Sequence, residues 1–239
     1  MIPKTIHYCW FGRGEMPEMA KKCIASWHKF MPDYEYKLWN EDCFDVNSVP
    51  YTKEAYSTRK FAFVSDYVRL WALEREGGIY LDTDVEVFKP LDDLLCYHAF
   101  AGFEGSKHLP LATCVMASEA SGEWVTEQLA AYLDRHFINT DGSLDMTTNV
   151  QYISATMAGH GFKQNGEEQE YKDLHVFPVE YFSPRHTTGE YIKTVNTYCD
   201  HLGMGTWDDN EGGWKAKVFK IVGQKNMTRL IKFKRRIFG

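Results

Sequence analysis

Ser65-Asp66-Tyr67-Val68-Arg69, followed by Gly77-Gly78-Ile79-Tyr80-Leu81-Asp82-Thr83-Asp84, is the stretch from which the fold can be read. Phe61, Val64, Val68 and Trp71 recur at spacings of three and four, so residues 59–76 read as a helix that the glycine pair terminates. Residues 79–88 then read as one strand closed by Pro90, with Tyr80, Asp82 and Asp84 on a shared face. Working back, residues 34–39 alternate with period two, residues 17–30 carry Met19, Cys23, Ile24 and Trp27 at helical spacing, and residues 2–10 form an apolar run before Gly12 and Gly14. Working forward, 100–103 and 112–117 read as short strands, 124–137 and 149–157 as helices, and 175–179 as a late strand, with loops around Gly142 and Gly166. Strand and helix alternating in this way predict an α/β fold. No repeat or low-complexity linker divides the chain, so one domain is expected over 1–214, with residues 215–239 as a basic, amphipathic, helical tail of the same unit.

The chain has 239 residues, 44% apolar and 15% aromatic, which is ample for a packed core and excludes a disordered protein. Every apolar run is broken before the roughly 18–20 residues a bilayer span needs. The opening MIPKTIHYCWFG reads as a first strand and not as an export signal. Six cysteines without a CxxC pair read as single buried thiols, the pattern of a reducing compartment and so of a cytoplasmic protein. The net charge of −6 conceals an asymmetry. Nine basic and no acidic residues fall in 215–239, leaving 18 basic against 33 acidic, or −15, for residues 1–214. An acidic body disfavours nucleic acid. The tail, with Leu230, Ile231, Phe233, Ile237 and Phe238 among its charges, suits either an anionic membrane surface or simple solvation.

Asp82 and Asp84 stand at the end of an apolar strand, where carboxylates cost desolvation energy unless a cation or strong donors compensate. Oxygen ligands of this kind suit Mn²⁺ or Mg²⁺, which also bind phosphate oxygens. An isolated Asp-x-Asp is equally at home in a surface turn, so its neighbours decide. Asp66 and Arg69, three apart on one helical face, are either a surface pair or part of the same site.

The quoted segment resembles the sugar-binding region with a DxD motif of family 32 glycosyltransferases, which include capsular polysaccharide synthesis enzymes and are distantly related to clostridial glucosylating toxins. Pro3 to Gly12 resembles the family's first strand, and His201 to Trp207 its closing motif. The resemblance implies a GT-A type, Rossmann-like fold with a mixed central sheet. It implies a retaining glycosyltransferase that moves a hexose or N-acetylhexosamine from a nucleoside diphosphate donor to a glycan or lipid-linked glycan hydroxyl. Asp84 would bind the metal, and Asp82 would contact donor ribose or sugar or reach the metal through water. Asp66 would bind hydroxyls of the donor sugar, and Arg69 the sugar and diphosphate. Ala62, on the same helical face, would admit the ligand or simply pack. Trp10 matches the base-stacking position, which favours a UDP-sugar while leaving GDP-mannose open, and His7 would stand behind it. His201 would complete the metal site, with Asp200, Asp208 or Glu211 as alternatives. Trp207 would cover the diphosphate, and Thr206 would add a hydroxyl. Asp145 to Asn149 departs from the family's Gly-Pro pattern and leaves Thr148 and Asn149 as acceptor-pocket candidates. Peripheral attachment at the inner face of the cell membrane, near a lipid-linked acceptor, would follow from the tail. A nucleotide-sugar hydrolase and a noncatalytic nucleotide-sugar or glycan-binding protein use the same residues and stand as the alternatives.

Overall fold

In the computed structural model, which describes residues 1–105, 109–184 and 191–203, the chain runs through β1 (Thr5–Cys9), α1 (Glu18–Phe30), β2 (Glu35–Trp39), α2 (Pro50–Ser57), α3 (Phe61–Glu76), β3 (Gly78–Leu81) and β4 (Val85–Val87). It continues through β5 (Ala99–Phe103), β6 (Leu111–Ser118), α4 (Glu123–Ala130), α5 (Asn149–Gly159), β7 (Gln169–Tyr171), β8 (Leu174–Phe177) and β9 (Cys199–His201). Seven strands form one sheet in the order β2-β1-β3-β6-β5-β8-β7, and β4 pairs with β9 in a separate two-stranded sheet. The pairs β1–β2, β1–β3 and β5–β8 are parallel, whereas β6 runs antiparallel to both β3 and β5. Met1–Gly203 forms one compact unit.

Both faces of the sheet are covered, which is why its strands read as apolar runs. One core joins Cys9, Tyr80, Met116 and Val176 to Phe63, Leu70 and Leu73 of α3, Trp124 of α4 and Ile153 of α5. The other joins Ile6, Ile79, Leu81 and Val115 to Trp27 of α1 and to Val85 and Cys199 of the small sheet. Each fully buried large apolar side chain contributes about 1.5–3 kcal/mol relative to exposure.

Strand β1 feeds chain to β2 on one side and β3 on the other, so a crevice opens between the carboxyl ends of β1 and β3, where open α/β sheets bind ligands. The turn into β3 requires glycine. Gly77 ends α3 at φ +65°, and Gly78 sits at φ +108° with the place of a Cβ only 2.7 Å from the Thr5 carbonyl oxygen and 3.0 Å from His7 Nε2. His7, fully buried, closes this corner. Trp39 Nε1–H donates to His7 Nδ1 at 3.1 Å, which leaves Nε2–H to donate to the Gly77 carbonyl at 2.8 Å. Burial pushes the imidazole below its ordinary range, so His7 is a neutral clamp between β1, β2 and the α3–β3 turn. Its role is structural.

Several expectations need correction. Residues 79–88 are not one strand: Val85 N–H donates to the Asp82 carbonyl at 3.0 Å, closing a tight turn over Asp82–Val85. The carboxylates of Asp82 and Asp84 therefore converge through a turn and not by strand alternation. The polar stretch before residue 59 contains α2, which Pro50 starts at its first helical position. Helix 124–137 stops at Ala130, after which 131–148 runs as turns and bridges. Strand 175–179 ends at Phe177. Among the cysteines, all six free, Cys9, Cys23, Cys114 and Cys199 are buried but Cys43 and Cys96 are exposed. No helix among the described residues is long and apolar enough to cross a membrane. The 215–239 tail lies outside the described residues.

Gly78→Ala is expected to lose roughly 1–3 kcal/mol in urea unfolding, from the left-handed φ and the backbone clash. Gly159→Ala, in α5 with nothing near its Cβ position, should instead gain up to about 1 kcal/mol. Equal effects would refute the reading of the turn.

Candidate active site

At the carboxyl end of β3, the buried guanidinium of Arg69 organises the acidic residues. Arg69 Nη2 lies 3.1 Å from Asp66 Oδ1 and 3.3 Å from Asp82 Oδ1. Its Nη1 donates to the Thr113 carbonyl on β6 at 2.9 Å, its Nε donates to the Ser65 carbonyl at 3.2 Å, and the group stacks 4.6 Å from the Tyr80 ring centroid. Tyr80 O–H donates to Asp82 Oδ1 at 2.9 Å. Asp66 also accepts from the Asn149 amide at 3.1 Å, while Asn149 Nδ2 donates to the Asp66 carbonyl at 2.7 Å. Thus Arg69 ties α3 to β6 and to the end of β3, and Asp66 ties α3 to the start of α5. Asn149 is delivered there by a capping box in which Thr148 and Gln151 satisfy each other's backbone amides.

Burial sets the electrostatics. Desolvation raises the Asp66 carboxyl to about 6 even though Arg69 opposes the shift. Desolvation also raises Asp82, with Asp84 adding to the rise and Arg69 counteracting it. Ala62, Asp66 and Arg69 fall at i, i+4 and i+7 of α3 and share a face, with Ala62 half-buried. Trp10, just beyond β1 at the crevice, is half-buried and belongs to neither core. Its indole N–H donates to the Gly14 carbonyl at 2.6 Å, fixing the ring.

The small sheet brings the remote partner. Pairing of β4 with β9 sets His201 opposite Val85, and Leu202 N–H donates to the Asp84 carbonyl at 3.0 Å. Strand β4 is itself pinned by Trp27 Nε1–H, which donates to the Val85 carbonyl at 2.7 Å, and by Ser26 Oγ, which accepts from Val87 N–H at 2.9 Å. His201 Nε2 lies 3.4 Å from Asp84 Oδ1. Ligand atoms of Asp82, Asp84 and His201 lie within 4.8 Å of one another. Burial opposes charge on His201, but Cys114, Asp84 and Glu104 around the ring outweigh it and raise the imidazole well above its ordinary range. This acidic enclosure attracts positive charge, and its two carboxylates and one imidazole fit Mn²⁺ or a similar divalent ion. Asp200 is buried on β9 beside His201. Thr206, Trp207, Asp208 and Glu211 lie outside the described residues.

Residues 17–101 match the family described as "glycosyltransferase sugar-binding region containing DXD motif". The matched segment takes in Asp66, Arg69, Asp82 and Asp84. The chain is 38% identical over 106 residues to inositol phosphoceramide mannosyltransferase 3 of Schizosaccharomyces pombe, covering 41% of this chain and 29% of that protein. With subversion of eukaryotic traffic protein A of Legionella pneumophila it is 25% identical across 95% of this chain and 41% of the relative. The chain therefore spans well under half the length of these relatives. Among solved structures, a "PaToxG Glycosyltransferase" superposes with a TM-score of 0.52 at 17% identity, over 67% of this chain and 70% of that one. The fold is of the GT-A type.

Of the residues singled out in the sequence, Arg69 meets Asp66 and Asp82, Asp82 and Asp84 meet His201, Ala62 shares the helical face of Asp66 and Arg69, and Trp10 follows β1 with its indole held by Gly14. The sequence reading missed Thr113, whose carbonyl anchors Arg69, and Tyr80 as a donor to Asp82; neither residue type in a strand signals such a task. It also missed the contact of Gly12 with Phe61, where a Cβ would come within 2.4 Å of the ring.

Arg69→Met should leave the buried Asp66 and the partly exposed Asp82 carboxylates uncompensated and cost about 3 kcal/mol at pH 7.5. A folded-state pKa raised above the unfolded value means the folded protein binds the extra proton, so the loss should shrink as pH falls from 7.5 towards 5. Denaturant melts across that range check it, and a loss that grows on acidification would refute it.

Proposed function

We propose that this chain is a divalent-metal-dependent, retaining glycosyltransferase that moves a hexose or N-acetylhexosamine from a nucleoside diphosphate donor to a hydroxyl of a glycan or lipid-linked glycan. The observation that carries this reading is the convergence of Asp82, Asp84 and His201 within 4.8 Å, beside the Asp66–Arg69 pair, at the mouth of the sheet crevice. The family match supports the same reading.

Asp84, His201 and Asp82 would hold the ion. A bound divalent cation supplies Lewis-acid stabilisation for charge developing on the departing diphosphate. Asp66 would receive sugar hydroxyls. In the structure the donors of Arg69 are engaged by Asp66, Asp82, Thr113 and Ser65, so its first task is to hold both carboxylates in place. Trp10 offers an immobilised flat face for the base, which puts UDP-sugars first and keeps GDP-sugars in the test. Relatives named inositol phosphoceramide mannosyltransferases add mannose and lipid-linked acceptors to it. Thr206 and Trp207 would cover the diphosphate, and Thr148 and Asn149 would border the acceptor. With no nucleophile required of Asp82 or Asp84, the leaving phosphate would accept the acceptor's proton in a front-face attack. A place in capsular or other surface polysaccharide synthesis, on the cytoplasmic side of the membrane, completes the proposal.

With Mn²⁺ present, a UDP-sugar or GDP-sugar should raise the melting temperature, and chelation or Asp84→Asn should abolish the rise. Protection by every anion tested, with no donor preference, would contradict the proposal. Product analysis with acceptor present separates the rivals: free sugar alone indicates a hydrolase, and bound but unconverted donor indicates a binding protein. Liposomes containing anionic lipid should retain the full chain at low salt and release it at high salt, and removal of 215–239 should abolish retention. No retention at low salt would remove the membrane component.

A further inference from the structure

His201 has two differently occupied sides. Its Nε2 faces Asp84 Oδ1 at 3.4 Å, while its Nδ1 faces Glu104 Oε2 at 3.6 Å. Glu104 follows β5 and lies outside the family-matched segment. The β5–β6 register shifts between Ala101 and Gly102 just before it, with the extra residues on β6. The Glu104 backbone N–H donates to the Pro110 carbonyl at 3.1 Å, tying it to the approach of β6. The carboxylate is mostly enclosed, with 22% of its side chain exposed, beside the 26% of His201. Three different strands thus fix the line: Asp84 enters β4, His201 stands on β9, and Glu104 leaves β5.

A neutral imidazole carries one N–H and one lone pair, and a metal takes the lone pair. Which nitrogen is which depends on the partner of the other one. An ionised carboxylate only accepts hydrogen bonds, so a carboxylate beside Nδ1 selects the tautomer with hydrogen there and turns the Nε2 lone pair towards Asp82 and Asp84. It also makes the imidazole a stronger ligand and opposes rotation of the ring.

We propose that Glu104 is a positioning residue for the metal site, holding His201 with Nδ1 towards its own carboxylate so that Nε2 is presented beside Asp82 and Asp84. This rests on the reading of His201 as a metal ligand. Glu104 itself does not touch the ion. Cys114, buried on β6, also stands near the ring: Glu104, Cys114 and His201 bring ligand atoms within 4.8 Å of one another. That grouping is the competing arrangement, a second metal site with its own sulfur ligand, and the test includes it.

Mn²⁺ binding to the full chain, titrated by the loss of the free-ion electron paramagnetic resonance signal, measures the effect without turnover. Glu104→Ala should weaken Mn²⁺ 10- to 100-fold, and Glu104→Gln, which retains an acceptor oxygen, should weaken it less. In a His201→Ala background, Glu104→Ala should add at most twofold, because its effect passes through the ring. If Glu104→Ala disturbs folding, the Gln variant carries the comparison. An unchanged affinity in folded Glu104 variants, with His201→Ala weakening binding, would overturn the positioning role and leave the metal site standing. An affinity unaffected by His201→Ala would remove both His201 as ligand and Glu104 behind it. Dependence on Cys114→Ser in place of Glu104→Ala would assign the ion to the sulfur-containing group and also overturn the proposal.

Discussion

Everything at the mouth of the sheet depends on one buried cation. The Arg69 guanidinium sits between Asp66 and Asp82 and reaches the Thr113 carbonyl, so it neutralises two carboxylates that could not otherwise remain ionised there. It also joins the helix that supplies it to two strands of the sheet. A buried pair of this kind brings little net stability once desolvation is counted. Its value is geometric: it holds Asp66 and Asp82 at fixed positions before a ligand arrives.

The second constraint is topological. The turn at Asp82–Val85 diverts the chain out of the main sheet, and the diverted strand pairs with residues 199–201, more than a hundred positions later. That pairing carries an imidazole to two carboxylates that are local in sequence. Burial opposes charge on His201, and Cys114, Asp84 and Glu104 beside the ring outweigh that penalty and raise its pKa.

Much of this was legible because helix α3, its glycine stop and the following strand obey local rules. The spacing of Phe61, Val64, Val68 and Trp71 and the double glycine required no tertiary information, and the face shared by Asp66 and Arg69 followed directly. What misled was regularity. Alternation alone predicts one strand through Asp82-Thr83-Asp84, because the backbone bond that closes a turn there leaves no mark in residue type. Helix 124–137 was overextended for a related reason: Tyr132 and Phe137 are buried, but on an irregular segment where Arg135 is held by Asp145 and the Thr147 carbonyl. Glu104 and Thr113 were invisible since their tasks arise only when β5 and β6 are laid beside β3 and β9.

Under the proposed function, Asp84 would hold a divalent ion that stabilises charge on the donor diphosphate. Pulsed electron–nuclear double resonance of Mn²⁺ in the ternary complex with a nucleoside diphosphate sugar measures the contact between ion and diphosphate through the phosphorus hyperfine coupling. A strong phosphorus coupling is expected, and it should disappear in Asp84→Asn. Mn²⁺ bound to the chain with no phosphorus coupling, while the donor is demonstrably bound, would contradict the proposal.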